Sequence, residues 1–122
     1  MVIGLQHIGI PTEHFDETLQ FFRHVGFEET YRAVNGESRV CFLRLGSAVL
    51  EVYEGAAAGQ KGAIEHFALE VTDVEAVFDR ITGMGYPAVE GEICSLPFFE
   101  KGVRYFTIEG PNNEKVEFSQ RL

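Results

Sequence analysis

Two histidines and two glutamates hold matching places in this chain, and their chemistry is the most specific it offers. His7 lies in Gln6-His7-Ile8-Gly9-Ile10 and His66 in Glu65-His66-Phe67-Ala68-Leu69, an offset of 59 residues. Glu51 lies in Val49-Leu50-Glu51-Val52 and Glu117 in Lys115-Val116-Glu117-Phe118, an offset of 66. Neutral imidazole nitrogens and ionised carboxylate oxygens together suit a divalent cation such as Zn, Ni, Mn or Fe. Four of them would leave octahedral positions for water or substrate. Taken singly, each residue has a plainer reading. A lone strand histidine is more often packed or solvated, and among 19 acidic residues any one glutamate is unremarkable. Recurrence of both types at equivalent places is what singles them out.

The elements that must position them also repeat. After each histidine an amphipathic run ends at a glycine 19 residues on, Gly26-Phe27 in one copy and Gly85-Tyr86 in the other. Phe42-Leu43-Arg44-Leu45-Gly46 and Phe106-Thr107-Ile108-Glu109-Gly110 then match at an offset of 64, so the extra residues of the second copy fall in loops. Within each copy the apolar period switches from 2 to 3.6 and back, which predicts βαβββ. The first copy predicts a strand over 2–10 and a helix opened by Thr12 through Phe15, Leu19 and Phe22, ended by Gly26. Strands are then expected near 27–33, 38–45 and 48–54. The second copy predicts a strand over 64–71 and a helix opened by Thr72 or Asp73 through Val74, Val77, Phe78 and Ile81, followed by strands near 86–90, 103–109 and 114–119. The expected organisation is one domain of two modules, 1–54 and 63–122, joined by a link over 55–62. Strand alternation puts Ile8, Ile10, Phe67, Leu69, Leu50, Val52, Val116 and Phe118 on helix-packed faces. His7, His66, Glu51 and Glu117 point the other way. Carboxylates flanked by such core residues call for a partner, because a buried unpaired charge costs several kcal/mol.

Composition narrows the function classes. A 122-residue chain with 45% hydrophobic and 24% charged residues is an ordinary globular protein that buries roughly two-thirds of its unfolded surface without needing a disulfide or metal to fold. The formal charge of −9 repels polyphosphate, and the ten Lys and Arg residues are scattered, so neither nucleic acid nor an anionic membrane is an expected partner. No apolar run of membrane-spanning length and no signal-peptide pattern is present, which makes the cytoplasm the expected location. Cys41 and Cys94 form no close pair and are read as reduced.

On these residues the whole chain resembles the vicinal oxygen chelate superfamily, the glyoxalase, bleomycin-resistance and extradiol dioxygenase group. The resemblance implies an α+β fold in which two tandem βαβββ modules form a U-shaped mixed sheet around a metal, with helices on the outer face. The family's His, Glu, His, Glu pattern is similar to His7, Glu51, His66 and Glu117, a set typical of glyoxalase I (lactoylglutathione lyase). Epimerase members have Gln at the second site, ring-cleaving dioxygenases use two His and one Glu for Fe(II), and bleomycin-binding members lack the set. The stretch Glu109-Gly110-Pro111-Asn112-Asn113-Glu114-Lys115-Val116-Glu117 also resembles the family's turn before the last ligand, with Asn113 in place of Gly.

The implied activity is a carbon–sulfur lyase that abstracts a proton next to a carbonyl through an enediolate, on the hemithioacetal of a 2-oxoaldehyde or a similar small substrate. Glu117 is the implied base and Glu51 the second choice. Ni or Zn is the first expectation for the metal, with Mn, Co or Fe also compatible, and a homodimer is the implied assembly. The departures argue against glutathione or another thiol as cosubstrate. Pro11 and Gly55 stand where an Arg and an Asn are usual in glutathione-dependent members, and Gln60 to Glu65 offers no matching Arg. Substrate contacts are expected from Phe98 and Phe99, an aromatic pair in the inserted loop, and from Lys101 or Arg104. Two other readings stand beside this one. One is a metal-independent drug-binding protein; the other is an epimerase, dioxygenase or thiol transferase of the same fold.

Overall fold

A computed structural model describes Met1, residues 6–56 and residues 66–122. The expected starts of two strands (residues 2–5, 64 and 65) and most of the 55–62 link lie outside the described residues. The chain separates into two compact units, Met1–Gln60 and Lys61–Leu122. Each is an α+β unit of one four-stranded mixed sheet and one helix, consistent with tandem βαβββ modules.

The first unit runs β1 (Ile8–Thr12), α1 (Phe15–Val25), β2 (Glu28–Asn35), β3 (Ser38–Leu45) and β4 (Ala48–Glu54). Its sheet order is β1-β4-β3-β2. β1 and β4 pair in parallel, as a strand followed by a helical crossover requires; β2, β3 and β4 meander antiparallel. Phe15, Leu19, Phe22 and Val25 recur at helical spacing and are buried with Phe21 against Leu43, Leu50 and Val52. Full burial of each large apolar side chain contributes about 1.5–3 kcal/mol. Gly26, at φ 127°, ends the helix and donates its N–H back to Phe22 and Arg23 carbonyls. Thr12 does not cap α1, contrary to expectation. The N-cap is His14, which makes no side-chain cap bond, while the buried Thr12 hydroxyl accepts from the His14 N–H at 2.8 Å and pairs with Thr18 Oγ1 at 2.9 Å. Thr12 sits two residues before the N-cap, so it binds the approach to the helix instead.

The second unit runs β5 (Phe67–Glu70), α2 (Val74–Gly83), β6 (Cys94–Leu96), β7 (Val103–Glu109) and β8 (Lys115–Arg121), in sheet order β5-β8-β7-β6. Asp73 is the helix cap, its carboxylate accepting from the Ala76 N–H at 3.0 Å. The core stacks Phe106 on Phe118 at 4.9 Å, with Phe78 edge-on to Phe106.

One strand falls elsewhere than expected. Residues 86–90 form no strand, and the edge of the sheet is β6, within the insertion. Pro87 has no N–H to give a ladder, and Gly85 and Gly91 on either side take positive φ. What remains of pairing is the Val89 N–H on the Thr107 carbonyl at 2.7 Å, with the Glu90 carboxylate accepting the Thr107 N–H. A side chain thus does the work of a strand carbonyl.

Candidate functional site

The two parallel strand pairs have identical registers. Ile8 faces Leu50 and Gly9 faces Glu51 across β1 and β4; Phe67 faces Val116 and Ala68 faces Glu117 across β5 and β8. Each histidine directly precedes its strand, and alternation sets it on the same face as the glutamate of the neighbouring strand. Leu50, Val52, Val116 and Phe118 are buried on the opposite face.

In the second unit His66 and Glu117 are brought together, Nε2 to Oε2 at 3.2 Å. In the first unit His7 lies edge-on to Phe42, ring centroids 5.8 Å apart. Its Nδ1 is 2.9 Å from Gln6 Oε1. With Nδ1 as the donor to that oxygen, Nε2 is left as an acceptor, the tautomer in which it could serve as a ligand. Glu51 lies between Gly9 and Phe42 on its rung. Neither glutamate is fully buried: Glu51 is half-buried and the Glu117 side chain is 19% exposed. The desolvation cost that would force a partner on each is correspondingly smaller than the sequence pattern implied.

The donors fit a divalent cation in type and, in the second unit, in spacing. Two ligands at about 2.0–2.2 Å from one ion, at octahedral or tetrahedral angles, stand roughly 3.0–3.5 Å apart. Among the described residues no group of three or more His, Cys, Asp or Glu side chains comes together.

His66 and Glu117 line a cavity of about 690 Å³ on the face of the second sheet away from α2, lined also by Tyr105, Ser119, Phe98 and Phe99. Burial, with Cys94, Glu90 and Glu117 nearby, pushes the Tyr105 phenol up, so it stays a donor at neutral pH. Of the expected substrate contacts, Phe98 and Phe99 line this cavity, whereas Lys101 and Arg104 do not. Arg104 alternates to the other face of β7 and pairs with Glu75 of α2 at 2.9 Å. The small residues opposite the glutamates, Gly9 and Ala68, and the cation Arg121 went unmarked in the sequence. The alternation that sorted the histidines would have found them.

The family model for the Glyoxalase/Bleomycin resistance protein/Dioxygenase superfamily matches residues 4–118. The chain belongs to this superfamily. Its similarity to the uncharacterized protein YwbC of Bacillus subtilis (strain 168) is 28% identity, covering 99% of this chain and all of the relative. Among solved structures, a glyoxalase family protein from Enterococcus faecalis superposes with a TM-score of 0.78 at 19% identity, over 95% of this chain and 96% of the other. The fosfomycin resistance protein FosX from Listeria monocytogenes, complexed with Mn(II) and sulfate, superposes with a TM-score of 0.76 at 19% identity, over 100% of this chain and 95% of FosX. Superfamily membership agrees with the tandem α+β units, and at these identities the structural likeness speaks to fold alone.

Proposed function

We propose that this superfamily member is a divalent-metal-dependent lyase of the glyoxalase I type, which removes a proton from a carbon next to a carbonyl in a small substrate. The observation that carries the reading is the His66–Glu117 pair, donors of the right type at ligand spacing on a sheet face that opens into a cavity. His7, Glu51, His66 and Glu117 would hold the ion, Ni or Zn first and Mn, Co or Fe by the same donor chemistry; Mn(II) in FosX is an example on a similar fold. A bound divalent cation supplies a Lewis acid that draws electrons from the carbonyl oxygen and acidifies the adjacent C–H.

The rest falls to the chain's own residues. Glu117 takes the proton on its carboxylate, with Glu51 as the second candidate. The β7–β8 ladder fixes the Glu117 backbone opposite Thr107. A homodimer in the cytoplasm is the assembly and location that fit this reading. No described helix is long and apolar enough to cross a membrane.

A second reading is a metal-independent module that binds a drug-like molecule. Its support is the size of the cavity and its exposed aromatic rim. Elemental analysis of protein purified without chelators separates the two. The enzyme reading expects a stoichiometric metal that is lost in His66→Ala, and solvent deuterium entering a substrate carbon with wild type but not with Glu117→Gln. Undiminished turnover in Glu117→Gln removes that residue as base. Failure to retain any metal under Ni, Zn or Mn loading overturns the enzyme reading in favour of the binding module.

A further inference from the structure

The cavity of the second unit extends well past the His66–Glu117 pair, and proton transfer does not use its far end. The β7–β8 register sorts the floor into rungs: Thr107 opposite Glu117, Tyr105 opposite Ser119, and Val103 opposite Arg121. A strand advances about 3.3 Å per residue, so Glu117 and Arg121, four apart on one face, are roughly 13 Å apart along β8. A volume of about 690 Å³ lies within the roughly 300–1,000 Å³ of sites for drug-sized ligands. A three-carbon oxoaldehyde leaves most of it empty.

Arg121 is set up as an anchor. Its guanidinium carbon is 4.2 Å from the centroid of the Phe99 ring, which fixes the plane of the fork. Its Nε is 3.9 Å from Glu70 Oε2, too long for a hydrogen bond, so the donor edge is steered but not consumed. Its backbone is held in register with Val103, and the next residue, Leu122, donates to the Gly102 carbonyl at 3.0 Å. Phe99 reaches this place at φ 62°, a backbone region that bulky residues rarely adopt. Phe98 and Phe99 are 55% and 63% exposed although they line the cavity, which gives it an apolar mouth. In a chain of net charge −9, a cation at this mouth is a local exception. The other lining cation, Lys115, lies beyond Glu117 on β8.

We infer that the substrate is an elongated carboxylate: its anionic end pairs with the Arg121 fork, its apolar body lies against Phe98, Phe99 and Tyr105, and its reacting carbon reaches Glu117. The inference rests on the reading that chemistry occurs at Glu117. Its test therefore uses binding alone, without metal or turnover. Metal-free protein is titrated by calorimetry with 4-phenylbutyrate and with its uncharged amide. The carboxylate is expected to bind saturably and more tightly than the amide. Arg121→Gln should weaken the carboxylate at least about tenfold, the usual scale of a lost charge-assisted pair, without changing the amide. Glu70→Gln, which removes the competing carboxylate, should tighten it. Equal affinity for the two probes, an unchanged affinity in Arg121→Gln, or no saturable binding overturns the inference. Turnover retained without carboxylate selectivity sinks only this inference. Selective binding in a protein that retains no metal after Ni, Zn or Mn loading sinks only the lyase reading.

Discussion

Ala68 lies directly across the β5–β8 ladder from Glu117, so on the β5 side only a methyl group stands beside that carboxylate, with Thr107 on the β7 side. Gly9 has the same relation to Glu51. If the proposed lyase reading holds, a larger residue at either place would crowd the carboxylate assigned as base. Ala68 is exposed on the cavity wall, so enlarging it strains no core. Ala68→Leu is expected to keep the melting temperature and to lower kcat/KM by about ten- to a hundredfold, the effect of a small misplacement at a reacting centre. Steady-state kinetics with a turned-over substrate checks this, and an unchanged kcat/KM separates Ala68 from the site.

The two helices differ at their N-termini, and stability should reveal it. Asp73 accepts from the Ala76 N–H, whereas His14 makes no side-chain cap bond. Asp73→Ala should cost about 1 kcal/mol and His14→Ala close to nothing. Urea unfolding of both variants measures the contrast.

The turn before β8 is packed around one carboxylate. Gly110 donates to the Glu114 carbonyl at 2.8 Å, and a Cβ at Gly110 would overlap the Glu114 carboxyl group. Gly110→Ala is expected to destabilise by about 1–3 kcal/mol, the usual cost of overpacking. Adding Glu114→Ala should recover much of it, and a double-mutant cycle reads the coupling.

Glu114 should also give the fold a pH dependence. Burial pushes its carboxyl above the ordinary carboxylate value, only partly offset by hydrogen bonds from Asn112, and Oε2 has no hydrogen-bond partner among the described residues. The folded chain therefore holds this proton more tightly than the unfolded chain. The linked stability is fully present below the ordinary carboxylate value and is lost as pH rises through the raised folded value. Glu114→Gln should remove this loss, giving urea midpoints that vary less from acidic to neutral pH than those of wild type. An unaltered slope would mean that Glu114 titrates normally.

Strands over 38–45, 48–54 and 103–109 were legible to the residue: burial alternates in 48–54, whereas Val40 with Cys41 and Phe106 to Ile108 are buried on both faces. Asn113 was legible as the residue in place of a turn glycine, and it takes φ 61°, a conformation Asn tolerates better than most. The edge strand at 94–96 was not legible. Pairing near an edge is decided by which segment can present free N–H groups to β7, and Pro87 with its flanking glycines removes the nearer segment from the competition.

The twofold pattern, the element order and the shared face of histidine and glutamate follow from sequence alone, because side-chain direction along a strand depends only on residue parity. Tertiary structure alone decided that His66 meets Glu117, that Arg104 turns to Glu75, and that Arg121 stacks on Phe99 at the cavity mouth. Those contacts join residues 22 to 51 positions apart, and only strand register and loop conformation bring such distant side chains within reach of one another.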